Sequence, residues 1–182
     1  MTGAYTFSFK VSAGEFRKAL YFNTFAKAKG QIYVIAAVWL LGLGLVIANL
    51  AFGVPMSNVM QMCYVVICAA APLLVFSCER GWRQYRESGG ETRERAVSIS
   101  DGWVKLRVSG DPGSEKLDWR MIAGVYELTD MFIIYRDANL MVVLPKSEVN
   151  SREMEALRKI FVGNLGRGFH RRCAAGPMAL VA

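Results

Sequence analysis

The chain has one histidine, His170, and four cysteines with no Cys-x-x-Cys spacing among them. A zinc or haem site built on paired cysteines and histidines therefore has no visible ligand set. Cys63, Cys68 and Cys78 fall in or beside one apolar segment, so a disulfide framework is not expected either. The longest deficit is of charge. From Gly30 to Cys78 there is no Asp, Glu, Lys, Arg or His, although 20% of the 182 residues are charged. No glycine-rich phosphate loop follows a strand, and no acid or nucleophile is spaced to work with His170. Glu91 with Glu94 and Glu153 with Glu155 are acidic pairs of the kind common on solvated faces. The sequence thus predicts a non-enzymatic protein without cofactor or metal.

What fills the uncharged stretch is apolar. Ile32–Phe52 reads as a helix of roughly 31 Å, close to a hydrocarbon core of about 30 Å. Gly53 to Asn58 breaks it with Gly and Pro, and Val59–Ser77 predicts a second, antiparallel crossing. Both runs are apolar on every face, unlike a core helix with its polar stripe. A cleaved signal peptide fits poorly, because about thirty residues, partly amphipathic, precede the run. Gly42, Gly44 and Ala48 on one span and Ala69 to Ala71 on the other suggest close helix packing. Asn49, Asn58 and Gln61 could share hydrogen bonds between the spans, and Pro72 could kink the second.

The cations behind the formal net charge of +7 cluster next to this block and in the C-terminal tail. Lys10, Arg17, Lys18, Lys27 and Lys29 precede it, Arg80, Arg83 and Arg86 follow it, and the connecting loop has no cation. Anionic headgroups explain that placement better than nucleic acid, and the bias puts both termini in the cytoplasm. Trp82 and Tyr85 suit the headgroup layer, with the second helix continuing to Gly89-Gly90.

The flanking parts carry strand and cap signals. Tyr5, Phe7, Phe9 and Val11 alternate with polar residues, and Ser12 with Glu15 opens a helix as a capping box. An isolated strand needs a partner, which favours packing on the C-terminal sheet. That sheet is predicted from Ala96–Ser100, an Asp101-Gly102 turn, Trp103 to Val108, a Gly110 to Gly113 loop, Lys116–Trp119, Gly124–Leu128, Met131–Tyr135 and Leu140–Leu144. Thr129-Asp130 and Asp137 to Asn139 supply turns. Asn150 and Glu153 then cap a helix bearing Met154, Leu157 and Phe161.

The order of two spans, a sheet, Leu117-Asp118-Trp119 before Ile122 and Val125, Phe132 to Tyr135, Leu144-Pro145-Lys146 and a final helix resembles the YcxB-like family. The resemblance implies a bacterial inner-membrane protein with a C-terminal domain similar to pleckstrin-homology folds, and no defined activity. The expected fold is membrane α+β: residues 1–30 a strand and amphipathic helix, 31–88 the hairpin with spans about 32–52 and 59–77, 91–163 the cytoplasmic PH-like domain, 164–182 a basic flexible tail. Candidate lipid or partner contacts are Arg80, Arg83, Arg86, Trp119 and Lys146, with Trp119 favoured as a core anchor. A pleckstrin-homology lipid pocket uses cations around the first hairpin loop. If Ala96–Ser100 is the first strand, that loop is the acidic Asp101-Gly102, which argues against such a pocket. The leading function is a membrane-anchored binding or regulatory module for a protein partner. An immunity protein against a membrane-acting toxin is the alternative, and an oligomeric transport component a weaker one. Partners are then membrane lipids, an unidentified protein and a possible second copy, with no nucleic acid.

Overall fold

The computed structural model describes residues 3–27, 31–53, 57–108, 115–136 and 140–172. The predicted Gly110 to Gly113 loop, the Asp137 to Asn139 turn, most of the Gly53 to Asn58 break, Lys29 and the tail from Cys173 lie outside them. So do the side chains of Asn58, Gln61, Cys63, Cys68, Ala70 and Ala71. The chain divides into two compact units: described residues up to Phe16 with those from Arg86 onward, and Arg17–Tyr85.

The first unit is α+β. Strands β1 (Tyr5–Phe9), β2 (Arg95–Ile99), β3 (Trp103–Val108) and β4 (Glu115–Asp118) form one antiparallel sheet in that order. The predicted strand β1 therefore finds its partner in β2, Phe9 opposite Arg95. Alternation sends Phe7, Phe9, Val97, Ile99, Val104 and Leu117 into the core and leaves the other face to water. The Asp101-Gly102 turn closes β2 onto β3, Ser100 N–H donating to Trp103 O at 2.9 Å. Trp103 turns outward, away from the core parity of Val104 and Leu106. Asp118 ends the sheet by accepting from Arg120 N–H at 2.9 Å, which opens a short 3-10 turn at Trp119–Met121.

A second sheet then begins, where the sequence suggested one continuous meander. Strands β5 (Gly124–Glu127), β6 (Met131–Tyr135) and β7 (Met141–Pro145) are antiparallel, and β8 (Phe169–Arg171) adds to β5 in parallel. Strand β6 is buried at all five positions, a continuous apolar run rather than an alternating one. The tail expected from residue 164 is thus partly folded: residues 164–165 end the last helix, 166–168 make a 3-10 turn and 169–171 are strand β8. A Cβ at Gly124 would stand 2.9 Å from Gly168 O, so this close docking requires glycine there.

Helix α4, Ser151–Leu165, lies between β7 and β8 in sequence. Its predicted capping box is present, with Asn150 N–H donating to Glu153 Oε2 at 3.2 Å. Phe161 on its inner side meets Trp119 edge-on, Phe132 and Phe169, with ring centroids 5.6 to 6.0 Å apart. The Trp119 indole also donates from Nε1 to Ser100 O at 3.0 Å, so one residue ties the first sheet's turn to α4. It is 6% exposed, a core anchor as its strand-end position suggested.

Helix α1, Ala13–Tyr21, starts on the predicted Ser12–Glu15 box: Ser12 N–H donates to Glu15 Oε2 at 2.9 Å and Glu15 N–H to Ser12 Oγ at 3.2 Å. A π-helical turn, Phe22–Ala26, continues it. In the second unit, helix α2 (Gln31–Phe52) contains one segment, Tyr33–Phe52, long and apolar enough to cross a membrane. Its Leu41 and Leu50 are 70% and 80% exposed, surface that water would penalise. Gly44 is also exposed, and a Cβ there would meet no described atom within 4 Å, so it marks no close helix approach among the described residues. Helix α3 runs Asn58–Glu87 through Pro72 and ends before Gly89, whose φ of 69° supplies the left-handed turn.

Candidate functional site

In the second unit, α1 and α3 are joined by a polar cluster. Glu79 Oε1 accepts from Arg17 Nε at 2.9 Å, Arg17 Nη2 at 2.6 Å and the Tyr21 hydroxyl at 2.8 Å. Hydrogen bonds from Tyr21 and then Arg17 hold the Glu79 carboxyl below the usual carboxylate range. Burial, followed by the neighbouring carboxylate, pushes the Tyr21 phenol upward. The Arg17 guanidinium also lies over the rings of Trp82 and Tyr21, 5.3 and 5.7 Å from their centroids. One turn inward, Thr24 and the buried Cys78 share a 3.1 Å hydrogen bond.

Beside this cluster an apolar groove of about 610 Å³ is walled by Phe25, Trp39, Val75 and Phe76, with Glu79 and Arg83 supplying its ionisable groups. Arg80 and Arg83, one helical turn apart on α3, are both exposed. Arg86 is exposed as well and belongs to the first unit.

Lys146 is different. It follows β7 with a side chain only 12% exposed, and its Nζ donates to Glu127 Oε1 at 2.8 Å and to Leu128 O at 2.6 Å. The ammonium also sits 5.1 Å from the Phe132 ring centroid. It is a structural cation rather than one offered to lipid phosphate. Its partner Glu127 is fully buried and is reached by Arg158 Nη2 of α4 at 2.6 Å and by Arg171 Nε of β8 at 3.7 Å. The Glu127 carbonyl accepts from Arg172 N–H at 2.8 Å. One buried carboxylate therefore binds β5, the turn after β7, α4 and β8 together. His170 lies in β8 with its ring 4.8 Å from that of Tyr126, a packing contact. No group of three or more His, Cys, Asp or Glu gathers as a metal site among the described residues.

Glu127 was not singled out from the sequence, yet a signal existed: it is an acid on the inward parity of a strand whose neighbours are apolar. Glu79 offered none, because its partners are 58 and 62 positions away.

Residues 104–161, from β3 through the Phe161 of α4, match the family model described as YcxB-like protein. This segment is YcxB-like. It holds Trp119, Glu127, Lys146 and Arg158, the residues that fix the second sheet to its helix, and leaves β1, both long helices and β8 outside. Comparisons with curated proteins and with solved structures find no match.

Proposed function

We propose that the protein is a non-enzymatic binding or regulatory module of the bacterial inner membrane, anchored by two crossings and presenting its two-sheet domain to a protein partner in the cytoplasm. The supporting observation is a connectivity. The chain leaves the first sheet at Phe9 and re-enters at Arg95, which are register partners, and everything between them includes the exposed apolar α2 and the long α3. An apolar segment looped out between two hydrogen-bonded strands serves as an anchor for the domain that those strands belong to. The cations before α2 and at the end of α3 favour both ends of this segment facing the cytoplasm. Order also supports a PH-like reading: four strands, three strands, then a helix. The first inter-strand connection is then the membrane segment itself rather than Asp101-Gly102, and a phosphoinositide loop has no place there.

Two measurements test the reading. In a cysteine-free background, Ser57→Cys reacts with an impermeant maleimide in intact cells and Ser151→Cys does not; the reverse pattern overturns the topology. Proximity labelling from the C-terminal domain recovers reproducible cytoplasmic neighbours above a transmembrane control. Absence of any such neighbour overturns the module.

A further inference from the structure

The solvent face of the first sheet carries an arrangement that folding alone disfavours. Register places Thr6, Ser98, Lys105 and Lys116 in one row across β1 to β4, so two lysines stand directly opposite each other on adjacent strands. Like charges so placed repel. Arg107 lies on the same face two residues along β3, opposite Ala96. Thr6 and Ser98 pair through their hydroxyls at 3.0 Å, and the ammonium of Lys116 lies 5.0 Å from the Trp103 ring centroid. Lys105, Arg107 and Lys116 form no ion pair among the described residues. Among the described residues of these strands one acid shares this face, Asp118 opposite Trp103; it accepts from the Arg120 amide and offsets part of the three positive charges.

We propose that this face docks an acidic, extended polypeptide segment of a protein partner, with Lys105, Arg107 and Lys116 receiving its carboxylates. Alternate residues of a strand repeat at about 6.8 Å, so Lys105 and Arg107 match carboxylates at alternate positions of an extended peptide. Lys116 adds a third cation about 4.8 Å to the side. Among the described residues the face offers no large exposed apolar side chain to enter a bilayer: Trp103 is half-buried beside Lys116, and Met121, Leu140 and Val162 stand elsewhere in this unit. That favours a peptide over a lipid surface. The inference rests on the module reading and names its partner's chemistry.

The test uses the full chain in phosphatidylcholine nanodiscs and a fluorescent oligoglutamate peptide followed by anisotropy. Wild type binds, more weakly as salt rises, and Lys105→Glu weakens binding about tenfold. Lys159→Glu, the same charge change on exposed α4, leaves it nearly unchanged. Equal weakening by both variants means net charge alone and overturns the site, as does no binding by wild type. Binding instead to phosphatidylglycerol vesicles, lost in Lys105→Glu, replaces the peptide with a membrane surface and also overturns it. Lys105→Glu must unfold no earlier than wild type, which separates lost docking from lost fold. If labelled neighbours in cells persist in Lys105→Glu at wild-type levels, this face is not the site and the module reading stands.

Discussion

The two sheets of the first unit treat charge in opposite ways. In the second, the Glu127 carboxylate is fully buried and contacted by Lys146, Arg158 and Arg171, each from a different part of the chain. In the first, Lys105, Arg107 and Lys116 stand on the solvent face without an ion pair among the described residues, two of them in opposed register. Buried charge is tolerated where partners and hydrogen bonds compensate desolvation, so the Glu127 cluster is architecture. Like charges in register on a solvent face oppose the fold slightly, so their presence points outward, to a ligand. A cation's value as a site marker therefore depends on whether the fold already uses it. Lys146 is used and Lys105 is not.

The largest effect tests whether the two sheets are one folding unit with the N-terminal strand. A fragment 91–163 omits β1 and β8, uncovering the core positions filled by Phe7 and Phe9 and the edge of β5. Losing two buried phenylalanines costs on the order of 6 kcal/mol or more, comparable to a whole domain's stability. Such a fragment is expected to lack dispersed amide signals in NMR, whereas residues 3–16 joined to 86–172 by a flexible linker in place of 17–85 show them. A well-folded 91–163 fragment would break this part of the comparison.

Next comes Glu127→Gln. It leaves Lys146, only 12% exposed, beside a neutral amide, and the cost is about 3 kcal/mol. That is the low end for a broken buried pair, because Arg158 and Arg171 can turn toward water. Thermal unfolding followed by tryptophan emission reads it, and Glu127→Met with Lys146→Met should recover part of the loss. A cost below about 0.5 kcal/mol would place Glu127 with ordinary surface charges.

What was legible in the sequence was local. Both capping boxes, the two-residue turns at Asp101-Gly102 and Thr129-Asp130 and the bounds of β6 follow from residues three to five apart, and the structure contains each. The division into two sheets was not legible, because β5 takes β6 and the distant β8 as its neighbours instead of β4, a choice of partners that nearby residues do not set. Strand β8 was missed since its three residues earn their place only through Glu127 and the Gly124–Gly168 approach, both distant in sequence. Lys146 drew notice for standing after Pro145, while its role depended on an acid nineteen positions earlier.

A smaller effect concerns Glu79. Its folded pKa is depressed, so its contribution is present above the unfolded value near 4.5 and is lost as pH falls through the folded value. Arg17 is half exposed, and solvent screening reduces the pair to a few tenths of a kcal/mol. Wild type should therefore lose a little stability relative to Glu79→Gln between pH 7 and pH 3. Parallel pH profiles for the two would remove Glu79 from the account.

The last effect has the opposite sign and for that reason decides most. In Lys105→Glu the new carboxylate faces Lys116 in register, replacing a repulsive cross-strand pair with an attractive one. Cross-strand charge pairs are worth roughly 0.2–1 kcal/mol, so the variant should be more stable than wild type by about 0.5 kcal/mol. Salt must shrink the gain, because screening weakens attraction and repulsion alike on a solvent face. Lys105→Met separates the two contributions: it removes repulsion without adding attraction and should fall between wild type and Lys105→Glu. That ordering would mean the first sheet gives up stability to keep Lys105, the pattern of a residue kept for binding rather than for folding. If Lys105→Glu is instead destabilising, Lys105 supports the sheet in some other way, and the contrast with Lys146 collapses.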